Sequence, residues 1–332
     1  FDEAGQTTID LTDGIIEGVT AVFPDAQVIP IVTAADPPTA NANTAAVLAM
    51  VPEGGKVLVA SVNDELTLAM FEALRMAGHS GDNILAVGQG ASQLGSVCDG
   101  TLHGSVAYFP ENYGKYAIPA LIGQINGAVL PGFIELPTQV LTADNVGDFY
   151  PESACGATGE AAAGSADYEQ YLGNPSSDQC AGRSYDFGFD IFSDTESFAL
   201  ATVQGFQAVA ETMGCVNIDV ASDDLDPLRA VENVEIFAAQ GKDGVIIANV
   251  IEAAGPGIVD VLQRNDLDGL AIFVAAPDVT LIEVDLGNAG LRAGEALAAE
   301  GLAQWAGEDV HLLRVIHGEQ PNLVQIGHFT KL

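Results

Sequence analysis

Apolar runs of strand length alternate with helically spaced apolar patterns along almost the whole chain, and the series runs twice. In the first half "TTIDLTDGIIEGVTAVF" reads as a helix, "AQVIPIVTA" as a strand, "NANTAAVLAMV" as a helix, "KVLVASV" as a strand and "DELTLAMFEALRMAG" as a helix. "NILAVG" and "GSVAYF" follow as strands around a turn with a short helix, then "GKYAIPALIGQING" as a helix and "IELPTQVLT" as a strand. The second half opens on strand "YDFGFDIF" and helix "SFALATVQGFQAVAETMG". It continues through strand "VNIDVAS", helix "DPLRAVENVEIFAAQG", strand "DGVIIANV", helix "AGPGIVDVLQRND", strand "LAIFVAA" and helix "NAGLRAGEALAAEGLAQWAG". The strand-like "VHLLRVIHG" and "LVQIGHF" close it. Such alternation predicts parallel sheets covered by helices. Residues 151–183, polar and rich in small side chains, form the seam between two α/β domains.

The chain has 332 residues, 48% of them apolar, enough for one large or two medium domains. No apolar run reaches the roughly 18 to 20 residues that a membrane-spanning helix needs. The sequence opens at Phe1 with no basic region followed by an apolar segment, so an export signal is expected to have been removed or never present. Acidic residues number 46 against 10 basic ones, a net charge of -36. That field repels phosphate backbones and anionic lipid, which argues against nucleic-acid and membrane-surface roles. It fits adaptation to a salty exterior and equally a lineage composition that keeps the protein in solution.

Cys155 and Cys180 bracket a stretch without a core pattern that would gain from closure by a disulfide, and that bridge would imply an oxidising compartment. Cys98 and Cys215 lie in more regular segments and read as buried small apolar residues. CxxC and HExxH are both absent from the sequence, so no metal site is expected, and no cofactor.

The ordered segments "YDFGFDIFSDTESFALATVQGF" and "VNIDVASDDLDPLRAVENVEIFAAQGKDGVIIANV" resemble the N-terminal lobe of type I periplasmic solute-binding proteins, the ribose- and galactose-binding group of ABC importers. "GIIEGVTAVFPD", "VLVASVNDELTLAMFEALRMAG", "NILAVG", "DGTLHGSVAYFPENYGKYAI" and "INGAVLPGFIELPTQVLTADNV" are similar to the family's C-terminal part, yet they come first. The resemblance implies two doubly wound parallel-sheet lobes with a hinge and central cleft, in circularly permuted order. One lobe would comprise 1–107, 137–150 and 308–332, and the other 108–136 and 184–307. Residues 151–183 would then join the ancestral termini. Permutation is mild where old termini lie close together and new ones fall in surface loops.

In this fold ligands bind beyond the carboxyl ends of the strands, and a sugar needs aromatic faces and planar polar groups there. Asp194, Thr195 and Phe198 follow the first strand of the second half, where the family offers a polar residue and stacking aromatics; a helix cap and core packing are the alternatives. Asn63 and Asp64 end a strand in the segment that carries a ligand-binding Asn in the family, and either could instead cap the next helix. Tyr108 and Phe109 lie on a lobe crossing, with packing as their other reading. The family's Asp-Arg pair is replaced by "AAPDVT", which leaves Asp278; its ligand-binding Arg falls at Asp13; and Gln89 stands where an Asp is usual. Loss of both arginines argues against an anionic ligand.

An enzyme is disfavoured. "GPGIVD" at Gly255 and "VGQGAS" at Val87 lack the third glycine of a dinucleotide loop, "EGGKV" lacks the residues of a P-loop, and no GxSxG occurs. A repressor of this fold would need a basic helix-turn-helix reader, which the sequence lacks. The resemblance therefore implies a monomeric periplasmic or extracellular binding protein, with or without a membrane anchor, that delivers a neutral sugar or polyol to an ABC permease. A sensory receptor module of the same fold, or a binder of a non-sugar metabolite, is the alternative.

Overall fold

The computed structural model describes residues 5–33, 37–151, 153, 155 and 175–317. The expectations for 156–174 and for 318–332, including the strand-like "LVQIGHF", lie outside the described residues. Helix α1 (Gly5–Val22) leads to β1 (Gln27–Thr33), α2 (Pro37–Val47), β2 (Lys56–Ala60), α3 (Asp64–Met76), β3 (Ile84–Gln89), the short α4 (Leu94–Cys98) and β4 (Gly104–Ala107). The chain continues into α5 (Tyr113–Ile125), β5 (Phe133–Leu136), β6 (Gln139–Leu141) and α6 (Val146–Phe149). Then come β7 (Tyr185–Ile191), α7 (Ser197–Met213), β8 (Val216–Ser222), α8 (Pro227–Gln240), β9 (Gly244–Asn249) and α9 (Gly255–Asn265). Strands β10 (Asp268–Phe273) and β11 (Thr280–Val284), helix α10 (Leu286–Trp305) and β12 (Val310–His317) complete the order.

The strands form two six-stranded sheets, ordered β1-β12-β2-β3-β4-β6 and β5-β11-β10-β9-β7-β8. Neighbours run parallel except β4 with β6. In the second sheet β7 lies between β8 and β9, the strands that follow it in the chain. In the first sheet the equivalent place, between β1 and β2, is held by β12. Both sheets are covered on both faces, and the period of two in each strand divides the cover. Val57 and Val59 pack with Met70 and Leu74 of α3, whereas Leu58 and Ala60 face the cluster that contains Leu11, Ile15 and Leu297. Val245 and Ile247 likewise meet Val234 and Phe237, while Ile246 and Ala248 meet Phe206 and Leu121. Met70 and Leu74 are fully enclosed, and each contributes about 1.5–3 kcal/mol by its burial.

Several details differ from the sequence reading. "IELPTQVLT" reads as one strand but is two, β5 in the second sheet and β6 in the first. Pro137 lacks the N–H that would continue a ladder and stands where the chain changes sheets. Strand β11 carries no period strong enough to read. Helix α10 lies within the 184–307 span assigned to the second lobe, yet it packs on α1 and on β2, β3 and β4 of the first. Glycines make this approach possible: a Cβ on Gly290 would strike the Leu11 carbonyl oxygen, and one on Gly294 would strike that of Ile15.

The disulfide expectation is corrected outright. Cys155 is bonded to Cys98 and Cys180 to Cys215. Cys98 ends α4 in the first lobe, and Cys215 precedes β8 in the second, so the two ends of the linker are fastened to different lobes and Cys155 does not meet Cys180. Cys98 and Cys215 are accordingly bridge partners rather than free apolar residues.

Candidate ligand cleft

The carboxyl ends of the two sheets converge. Gln89 ends β3, Tyr108 follows β4, Phe192 follows β7, Phe273 ends β10, Glu283 is the penultimate residue of β11, and Phe198 lies in the first turn of α7. The Phe198 ring stands edge-on to Tyr108 at 6.2 Å and to Tyr113 at 6.3 Å, and packs tilted on Phe273 at 5.6 Å. Phe273 also meets Tyr113 at 5.5 Å and Phe192 at 5.6 Å. A Cβ on Gly90, in the turn after β3, would lie 3.9 Å from the Phe198 ring, so the ring from the second lobe touches the first. Gly90 has φ +92, which favours glycine there. Phe273 adopts φ 75 as the centre of a tight turn closed by the Val274 N–H on the Ile272 carbonyl. For a bulky residue that conformation costs about 1–3 kcal/mol, and such strain concentrates at ligand sites.

Two polar pairs lie among these rings. Gln89 is fully buried, its Oε1 accepts from the Tyr108 hydroxyl at 2.8 Å, and its Nε2 has no partner. Glu283 is 5% exposed; its Oε1 accepts from the Tyr113 hydroxyl at 3.0 Å and from the Val284 N–H at 2.7 Å, and its Oε2 has no partner. Burial pushes the Glu283 carboxyl up to about 7 against the pull of these bonds and of the nearby Phe273 backbone N–H. The Tyr108 hydroxyl is raised well above its ordinary value by burial first, then by the charges of Glu283 and Asp64.

The sequence candidates are distributed unevenly around this centre. Gln89, Tyr108 and Phe198 are in it. Asn63 is half-buried, and its Oδ1 caps α3 by accepting the Leu66 N–H at 2.8 Å. Asp64 is wholly enclosed and accepts from Ser105 Oγ at 2.7 Å and the Gln93 N–H at 3.0 Å, which ties β4 and the β3–α4 turn to α3 rather than offering a carboxylate to solute. Burial raises it to about 6. Phe109 turns away: with φ 53 it places its ring against Tyr150 at 6.0 Å and Phe149 at 5.7 Å in a separate cluster of the first lobe, so 108 and 109 stay with the first lobe rather than opening the second as the span 108–136 had it. Asp194 and Thr195 are exposed on the loop before α7, and Glu196, not either of them, caps that helix.

Asp13 is paired with Arg314 of β12 at 2.7 Å, so a cation stands near the position that the sequence reading left without one, already facing a carboxylate. Asp278 lies at the opposite end of the second lobe. Because β11 runs parallel to β10 with no helix between them, residues 274–279 return to the amino ends of both strands. There Asp278 lines a cavity of about 430 Å³ with Gln124, Asp266 and Asp268. It therefore does not face the ring cluster.

Tyr113, Phe192, Phe273 and Glu283 are the centre's unread members. The one signal for Glu283 is an acid between the apolar Leu281-Ile282 and Val284 of "TLIEV". Behind the rim, Asp190 of β7 and Asp223 after β8 are both buried; burial pushes both carboxyls up, and the Asp223 charge adds to the rise at Asp190. Asn233 donates to Asp190 at 2.7 Å. Among the described residues no group of three or more His, Cys, Asp or Glu is arranged to hold a metal ion, and no helix is long and apolar enough to cross a membrane.

No protein-family model and no curated protein is similar to the sequence. Solved structures are. A periplasmic solute-binding protein of an ABC transporter from Actinobacillus succinogenes, with bound D-allose, matches with TM-score 0.55 and 11% identity over 92% of this chain and 91% of its own. An ABC transporter solute-binding protein from Mycobacterium smegmatis, with bound glycerol, matches with TM-score 0.54 and 13% identity over 94% and 88%. A LacI-family transcription repressor from Corynebacterium glutamicum matches with TM-score 0.50 and 11% identity over 95% and 92%. The chain has the type I periplasmic-binding-protein fold, two parallel-sheet lobes, which sugar-binding proteins of ABC transporters share with a LacI-family repressor.

Proposed function

We propose that this protein is an extracytoplasmic solute-binding component of an ABC transporter that captures a small neutral sugar or polyol between its lobes and performs no chemistry on it. The observation that carries the reading is the convergence of both sheets' carboxyl ends on one cluster of rings that encloses unpartnered polar atoms. Phe198 and Tyr108 offer ring faces and edges to the C–H surface of a solute, and Gln89 offers a hydrogen-bond donor. Contacts from both lobes exist together only when the lobes are closed, so binding draws the population toward closure. A membrane permease would read that closed form through the acidic surfaces of the lobes. The two disulfides suit an oxidising compartment outside the cytoplasm. On the same reading the chain is a permuted, monomeric member of the fold, with β12 in the opening position of the first sheet and 151–183 as the joining segment.

A thermal-shift screen against sugars, polyols, amino acids and nucleosides tests this, since a ligand of the native state raises Tm by mass action. An upward shift with an uncharged polyhydroxyl compound is the expected result. Shifts confined to amino acids or nucleosides would overturn the sugar assignment.

A further inference from the structure

We infer that Gln89 Nε2 and Glu283 Oε2 are two anchoring points, one on each lobe, for hydroxyl groups of a single ligand, which makes Glu283 a ligand-contacting residue. This rests on the solute-capture reading above and extends it to a residue and a ligand pattern. Both side chains are more than nine-tenths buried, both hold one atom in a protein hydrogen bond, and both leave the other atom without a partner. A buried polar atom without a partner is costly, and natural cores leave few of them. Here two occur at the same set of rings: Tyr108, bonded to Gln89, and Tyr113, bonded to Glu283, both stand edge-on to Phe198.

The missing partners define the ligand. Gln89 Nε2 can only donate, so it needs an acceptor. Glu283 Oε2 accepts when ionised and donates when protonated, and its carboxyl sits at about 7, so both forms occur near neutrality. A hydroxyl group serves Nε2 and both forms of the carboxyl. An anionic ligand would repel the ionised form, and a bare ammonium would leave Gln89 unmet. The groups around Glu283 are the Tyr113 hydroxyl from α5, the Phe273 backbone N–H from β10, its own neighbour Val284, and across the cleft the Tyr108 hydroxyl, with Asp64 the other acid that acts on Tyr108. Among the described residues no Lys or Arg is paired with Glu283. The ligand is therefore a neutral compound with at least two hydroxyls, spanning the lobes beside Phe198.

Isothermal titration calorimetry of the whole protein against aldoses, ketoses and linear polyols, D-allose and glycerol among them, at pH 6, 7 and 8 tests this. The wild type is expected to bind at least one probe with an affinity that changes across this range. Glu283→Leu and Gln89→Leu should each weaken that probe about 10- to 100-fold, the loss of a hydrogen bond at a buried group. Glu283→Gln, the shape-conserving variant, should keep a Tm no lower than wild type and most of the affinity while the Glu283 part of the pH dependence disappears. If the probe binds all three variants as it binds the wild type, with the same pH profile, Glu283 is not a contact and the inference falls while solute capture stands. If no probe binds the wild type, the capture reading falls and takes the inference with it.

Discussion

Asp64 in the first lobe and Glu283 in the second are enclosed carboxyls near the carboxyl ends of their sheets, and burial raises both, to about 6 and about 7. They differ in what their oxygens touch. Both oxygens of Asp64 receive protein donors and fasten α3, the β3–α4 turn and β4 together. Glu283 has one oxygen engaged and one without a partner. Burial and a shifted carboxyl therefore do not by themselves mark a binding residue; the hydrogen-bond inventory separates a latch from a group open to a ligand.

The largest effect should come from reduction, because each lobe holds one disulfide. Loops of 57 and 35 residues constrain the unfolded chain by about 4 kcal/mol each in the loop-entropy model. A reductant should lower Tm strongly, and Cys98→Ser/Cys155→Ser and Cys180→Ser/Cys215→Ser measured separately show whether the lobes depend on their bridges equally.

Next comes pH. A carboxyl raised on folding stabilises fully below its unfolded value and loses that contribution as pH rises through the folded value. The Glu283 shift corresponds to about 3 kcal/mol lost between roughly pH 4.5 and 7, and Asp64 adds loss between roughly 4 and 6. Urea unfolding should show stability falling over this range. Glu283→Gln should flatten the upper part of the curve and Asp64→Asn the lower.

Gly290→Ala drives a Cβ into the Leu11 carbonyl and should cost about 1–3 kcal/mol, with the loss measured by denaturant midpoint. Asp64→Ala strips two buried donors of their acceptor, for about 1–3 kcal/mol. Glu283→Gln, whose amide keeps an acceptor for Tyr113 and has no charge to bury, should match the wild type below about pH 4.5 and exceed its stability by up to about 3 kcal/mol at pH 7. An Asp64→Ala protein as stable as wild type would erase the distinction between latch and open group.

The fold was legible where local pattern and tertiary role agree. "VLVA" and "GVIIA" are buried on both faces and contain no polar residue, so they read as central parallel strands without help from the rest of the chain. Legibility ended where long-range contacts decide. Pro137 marks a sheet change only because two sheets exist, and α10 joins the first lobe through glycine contacts with α1, two hundred and more residues away in sequence. Cysteine spacing could not assign partners, because the linker's ends are held by different lobes. At the site, Phe198 and Tyr108 were readable as aromatics beside strand ends. Tyr113, Phe273 and Glu283 were not, because their roles come from a helix start, a strained turn and a three-dimensional enclosure that leave no periodic trace. Asp278 misled for the same reason: the absence of a helix after β10 reverses the direction of its loop.

Hydrogen–deuterium exchange with and without the sugar or polyol that raises Tm tests most directly whether solute is held between the lobes. Capture predicts simultaneous protection at 89–92 and 108 of the first lobe and at 192–198, 273–274 and 283–284 of the second. Protection confined to one lobe, or centred on the cavity beside Asp266, Asp268 and Asp278, would contradict it.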